Sequence, residues 1–216
     1  MTVLVVLMLL AVQSVPLSAM PDTTPRYLTI ETWTIDDSII HSQDDPEERL
    51  LSYARHDLSG MIYGYEFRYV PSDRARQISE VFELKPIASV RWGAPGLRTR
   101  DVERHDGTLY GLFEYELSEV ERLWTARWDS VRIPDSGGVG RAELLEGVAG
   151  REEAVRLAIR AAIRSHLQTL TRNKPRESAG QVVLTEPPRV MTDAGEFVAQ
   201  VKIKIDVTEV LDYRAF

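Results

Sequence analysis

The sequence predicts an α+β fold, with a mainly antiparallel sheet of six or seven strands and two main helices, about 46–58 and 151–172, on one face. Three observations carry that prediction. Glu196 to Thr208 alternates apolar and polar residues, the period of a strand with one face on a core and one in water. Glu152 to Arg172 repeats its apolar residues at helical spacing instead, with Val155, Ala158, Ile159, Ala162, His166 and Leu170 on one face. The pattern strand–helix–strand–strand at 27–85 is then echoed by helix–strand–strand at 151–208.

Taken in order, the chain opens on Thr2 to Val12, nearly all apolar, followed by Pro16-Leu17-Ser18-Ala19. This reads as the hydrophobic region and small-residue cleavage site of a signal peptide over 1–19. The run falls short of the roughly 20 apolar residues that span a bilayer. No Lys or Arg precedes it, so the competing reading is a buried first helix or strand of a cytoplasmic domain. The absence of Cys after the run argues for a cleaved leader over a lipid-anchored one.

Residues 20–26 read as an exposed tether, and 27–216 as a single domain. Its halves, 27–90 and 108–216, share helix–hairpin grammar. An internal duplication and the simple frequency of such units explain this equally well.

Tyr27 to Ile35 alternates as a strand. Asp45 caps a helix, Pro46 fills its first position, and Glu48 can close a capping box. Ser59-Gly60 is the expected stop, after Leu58. Met61 to Val70 reads as a strand with Tyr63, Tyr65, Phe67 and Tyr69 on one face, a core row whose hydroxyls reach the rim. A further strand covers about Gln77 to Lys85.

Arg91 to Gly107, rich in Gly, Pro and Arg, reads as a long loop, and Thr108 to Leu117 as a strand. Glu121 to Ile133 fits both a capped helix and a strand, and the reading favours a strand or a helical turn feeding one. Pro134 to Gly140 reads as a flexible loop. In the long helix, alanines 154, 158, 161 and 162 keep the surface slim enough to lie close against a sheet, and Glu152 is placed to pair with Arg156. Gln181 to Thr185 forms a hairpin with the last strand. Pro187-Pro188 ends the first arm, and Asp193-Ala194-Gly195 makes the turn.

Composition narrows the chemistry. The net charge of −7 argues against a nucleic-acid partner. Zero cysteines exclude disulfides, Cys-ligated zinc, thiol nucleophiles and iron–sulfur clusters.

Asp135-Ser136-Gly137-Gly138 resembles the nucleophile segment of chymotrypsin-like serine proteases. That family has Gly before the Asp and Pro after the second Gly, where Pro134 and Val139 stand here, and no His has the family's context. Gly137-Gly138-Val139-Gly140 lacks the Lys-Ser/Thr of a phosphate loop. His41, His56, His105 and His166 are isolated, so no metal site is expected. Asp36, Asp37, Asp44 and Asp45 lack EF-hand spacing and read as solvated loop acids. The terminal strand puts Asp212 and Arg214 in phase with Phe216, against an outer-membrane barrel wall.

What remains is a basic helix edge, Arg156, Arg160, Arg164 and Arg172, on an acidic body. The reading is an exported, periplasmic or secreted, non-catalytic module that binds an envelope protein. It has no cofactor, no catalytic residues and no membrane span in the mature chain. The alternatives are a soluble carrier of a small ligand and a hydrolase drawing on Glu31, Asp36 or Glu114.

Overall fold

Two antiparallel sheets carry the chain. The computed structural model describes residues 25–35, 45–74, 77–171 and 176–212. The leader at 1–19, the tether up to Thr24, Asp36, Asp37, His41, Asp44 and Arg172 lie outside the described residues. In order, the elements are β1 (Tyr27–Ile35), α1 (Pro46–Ile62), β2 (Tyr65–Val70), β3 (Val81–Pro86), β4 (Leu97–His105), β5 (Thr108–Glu116), α2 (Glu119–Ala126), β6 (Asp135–Glu143), α3 (Val148–Thr171), β7 (Arg176–Leu184), β8 (Arg189–Asp193) and β9 (Glu196–Asp212).

The small sheet runs β1-β5-β4 and the large one β3-β2-β7-β9-β6, with β8 also on β9. The fold class is thus α+β, and the strands are shared between two sheets. α1 covers the small sheet, where Leu50, Ala54, Leu58 and Ile62 meet Ile30, Leu109, Phe113 and Tyr115. α3 covers the large sheet, where Ala154, Ala158, Ile159 and Ile163 join one cluster with Tyr65, Phe67, Tyr69, Val182, Ile203 and Ile205. Met61 packs against both clusters.

Several local expectations are corrected. Asp45 does cap α1, accepting from the Glu47 N–H, but the helix passes through Ser59-Gly60 to Ile62. Gly60 is needed there for space: a Cβ would come within 2.6 Å of the Leu184 side chain. Met61 and Ile62 are therefore helical, and the strand begins at Tyr65. Tyr65, Phe67 and Tyr69 are buried as a core row.

The loop expected over 91–107 contains β4, an edge strand exposed along nearly its whole length. With both faces wet it carries no period-2 signal. Its pairing comes from the two-residue turn Asp106-Gly107, both at positive φ, which sends it back as β5.

Over 119–126 the chain is helix α2, not strand. Ser118 and Glu121 close a full capping box. Val120 and Leu123 point outward while Glu121 is buried, so the apolar stripe does not report the packed face.

The segment expected as a flexible loop at 134–140 is the start of strand β6, under α3. A Cβ on Gly138 would lie 2.2 Å from the Ala158 carbonyl oxygen, and one on Gly140 2.2 Å from that of Ala154. Glycines in the strand and alanines in the helix let the two backbones approach. The slim face of α3 is legible in its alanines, whereas glycines in sequence read as a loop until the helix lies across them.

The last arm also differs. β7 and β8 lie in succession along one side of β9, separated by Pro187-Pro188, and Ala194-Gly195 turns β8 into β9.

Candidate functional site

β8 is short, and its geometry decides what it can do. Among the described residues it pairs with β9 alone. The turn at Ala194-Gly195 makes Asp193 and Glu196 a hydrogen-bonded pair, and alternation follows: Met191 with Val198 and Arg189 with Gln200 are bonded pairs, while Thr192 and Val190 are not. The backbone N–H and C=O of Val190 and Thr192 therefore point away from β9. The Trp33 indole Nε1–H donates to the Val190 carbonyl oxygen at 3.0 Å, as that register requires.

Two adjoining open clefts run along this edge. One, about 610 Å³, is lined by Trp33, Ile35, Tyr110, Val190, Met191 and Thr192, among others. The second, about 380 Å³, shares Trp33, Tyr110 and Val190 and continues to Glu31, Arg151, Glu186, Pro187, Pro188 and Arg189. Met191 is 48% exposed and Tyr110 37%. β1 and β5 thus supply an aromatic wall, and β8 supplies the floor.

Arg151 stands at the foot of this groove, at the start of α3. Its side chain is only 3% exposed and pairs with the 2% exposed Asp57 of α1, Nη2 to Oδ2 at 3.1 Å. The same Nη2 donates to Thr32 Oγ1 at 3.0 Å. The guanidinium lies 4.3 Å from the Tyr53 ring centroid. Arg151 Nε and Nη1 and Asp57 Oδ1 are buried without a hydrogen-bond partner, and the buried Tyr53 hydroxyl faces Thr34. Burial raises the Tyr53 hydroxyl above its ordinary value, against the charge of Arg151.

The basic edge is more internal than its spacing implies. Arg156 makes a forked pair with Glu153, both contacts at 2.6 Å, and lies over the Phe82 ring, so the expected Glu152 partner is replaced. Glu152 instead comes within 3.7 Å of His56 Nδ1. Arg160 is half-buried and Arg164 exposed. Tyr69, which feels both charges, donates to Glu80 at 2.7 Å.

The Ser136 hydroxyl donates to the Ala162 carbonyl oxygen, a strand-to-helix tie and not a nucleophile arrangement. Glu31 lies on the cleft wall, while Glu114 pairs with Arg100 two register steps away. His166 is half-buried, and desolvation lowers its pKa.

A second polar cluster holds α2. The Glu121 carboxylate accepts from the Tyr63 hydroxyl, the Tyr115 hydroxyl at 2.8 Å, and the Ser118 hydroxyl and N–H at 2.7 and 2.8 Å. Burial works to raise its pKa, and the donors from Tyr63, Ser118 and Tyr115 outweigh burial and hold it below the ordinary value. Burial and the contact with Glu121 push Tyr115 up to about 12.

The residues that matter at the groove are Trp33, Tyr110, Arg151 and Met191, and the sequence reading picked out none of them. Arg151 left a trace: it sits three, four and seven residues before Ala154, Val155 and Ala158, on the core stripe of α3. Asp57 likewise falls on the stripe of Leu50, Ala54 and Leu58.

Fold and groove together define an α+β protein with an open strand edge between two sheets. A family model matches residues 14–213, and the chain belongs to that uncharacterised family. It is similar to an uncharacterized protein of Treponema pallidum (strain Nichols), 26% identical over 203 residues, with 94% of this chain and 82% of the relative covered. No solved structure matches. Among the described residues no helix is long and apolar enough to cross a membrane.

Proposed function

We propose that this protein is an exported, non-catalytic interaction module of the cell envelope, and that it binds its partner by adding a strand to β8. One observation carries the docking part: the outward backbone groups of Val190 and Thr192 lie in a groove walled by Trp33 and Tyr110, and Val190, Met191 and Thr192 are uncharged. Backbone hydrogen bonds give such pairing its affinity, and side-chain pockets along the groove give it selectivity. The export part rests on the apolar opening stretch and Pro16-Leu17-Ser18-Ala19.

The test is photocrosslinking in intact cells, combined with fractionation and N-terminal sequencing of the mature protein. A photoreactive side chain at position 191 should yield one discrete adduct with an envelope protein. The added change Thr192→Pro, which removes only an outward N–H, should abolish it. The same probe at Val102 on β4 should give none. An adduct unaffected by Thr192→Pro, or mature protein in the cytosol with Met1 intact, contradicts the proposal.

A further inference from the structure

The small sheet treats the acids on its outer face differently at its two ends. α1 packs on the inner face, against Ile30, Leu109 and Phe113. On the outer face, Tyr110 and Leu112 are each 37% exposed. The register sets rows across that face, among them Thr29-Glu114-Arg98, Glu31-Leu112-Asp101 and Trp33-Tyr110-Glu103.

At the end away from β8 each acid has an arginine. Glu114 is held by Arg100, and Glu116 by Arg26 at 2.6 Å and Arg98 at 3.6 Å. At the end beside β8, Glu31 and Glu103 are exposed and have no ion pair among the described residues. Asp101 accepts from the adjacent Val102 N–H at 2.9 Å, and Asp106 faces His105 at 3.0 Å. Glu31 and Asp106 line the two clefts along β8. The bases of the groove are already engaged. Arg151 pairs with Asp57, and Arg189 lies 3.8 Å from Glu186, which Lys202 meets at 3.1 Å. The surplus charge beside β8 is therefore negative.

Such a surplus repels an acidic partner and draws a basic one. Tyr110 and Leu112 stand between Glu31 on one side and Asp101 and Glu103 on the other. They offer an apolar bed for the methylene stem of Lys or Arg, whose charged head stays in water beside the carboxylates. The face of the Tyr110 ring can also hold a cation.

We infer that the segment added to β8 is basic, with Lys or Arg at alternate positions, their stems on Tyr110 and Leu112 and their charges at Glu31 and Glu103. Side chains of a strand alternate between two faces, so every second residue reaches this wall. The inference rests on the strand-addition reading and adds to it the charge of the partner.

Two pools of short peptides with capped ends test it on the isotope-labelled protein. One has mixed Val, Ala and Thr sequence, and the other has Lys at alternate positions. Both should shift the amide signals of Val190, Met191 and Thr192. At low salt the Lys pool should bind at least about fivefold more tightly, as two exposed charge contacts supply, and the ratio should shrink as salt is added. The Lys pool alone should move the side-chain carboxyl signals of Glu31 and Glu103.

In a double variant Glu31→Gln, Glu103→Gln the ratio should collapse towards one. The same loss of charge at exposed Glu119 and Glu209 should preserve most of it. Equal binding of the two pools to the unaltered protein overturns the basic assignment and leaves strand addition standing. A ratio that collapses equally with Glu119→Gln, Glu209→Gln also overturns it, by tracing the preference to the net charge of −7. No shift at β8 with either pool overturns both readings. Shifts at β8 that grow with protein concentration alone, together with a dimer in solution, assign the edge to a second copy and overturn the inference.

Discussion

β4 and β8 are both edge strands, and the chain treats them in opposite ways. β4 is long, exposed, interrupted by a bulge between Thr99 and Asp101, and charged at Arg98, Arg100, Asp101, Glu103 and Arg104. Arg98 and Arg100 are drawn to Glu116 and Glu114 of the neighbouring strand. Charge and bulging are how folds keep an exposed edge from pairing with foreign strands. β8 has neither device at Val190-Met191-Thr192. It lies in a groove with aromatic walls, where the Trp33 indole takes up the Val190 carbonyl. One edge is guarded against strands in general, and the other is the one the proposed function leaves open to a strand.

The comparison breaks most completely if the support of β8 is removed. β8 hangs on β9, whose other side is held by β6 beneath α3. Gly140→Val would drive a side chain into the backbone of α3, where even a Cβ has 2.2 Å to the Ala154 oxygen. Overpacking of this kind costs about 3 kcal/mol or more, and urea unfolding should show loss of cooperative folding. Val102→Thr on exposed β4 should stay within about 0.5 kcal/mol.

Next in size is Asp57→Ala, which leaves Arg151 buried without its counter-charge. The expected loss is about 3–5 kcal/mol, read from the same unfolding curves.

Glu121→Gln probes a cluster that shares no residue with the groove. It should cost about 1–3 kcal/mol at neutral pH, because buried hydroxyls lose a charged acceptor. The folded carboxyl has the lowered pKa. Its contribution is therefore complete above the unfolded value of about 4.3 and fades as the pH falls from there through the folded value. The difference between the unaltered protein and the Gln variant should shrink over that acid range and be flat above it. Binding at β8 should not change.

Trp33→Phe should have a smaller effect on stability than Asp57→Ala or Glu121→Gln, about 1 kcal/mol for one hydrogen bond to a neutral acceptor. It frees the Val190 carbonyl, so a bound strand gains one more ladder bond. An extended peptide laid on β8 should then bind more tightly, measured as a lower Kd.

Much of the architecture was legible because burial leaves a period. β9 and α3 could be read directly, as could the helix starting at Pro46, since each has one dry face and one wet face. β4 was not legible: with both faces wet, its residues answer to solvent alone. β6 is not legible because its closest core-facing residues, Gly138 and Gly140, carry no side chain, and only the alanines across from them give the position meaning. α2 misled because its apolar Val120 and Leu123 face outward while a capping glutamate is buried.

The groove was beyond the sequence for a different reason. It joins Trp33 of β1, Tyr110 of β5, Arg151 of α3 and Met191 of β8, and no local pattern links them. Charged residues on two core stripes, Asp57 and Arg151, are the one local sign, and they lie 94 residues apart on helices that only the fold brings together. The basic row on α3 drew attention by its regularity, yet Arg156 turned out to serve Glu153 and Phe82.

Hydrogen exchange at the Thr192 amide, with a pool of short extended Val, Ala and Thr peptides absent and then bound, tests the central claim most directly. The account predicts rapid exchange in the isolated protein, marked slowing at Thr192 and Val190 on binding, and no change along β4. Unchanged exchange at Thr192 under saturating peptide, or protection that appears on β4 instead, would contradict it.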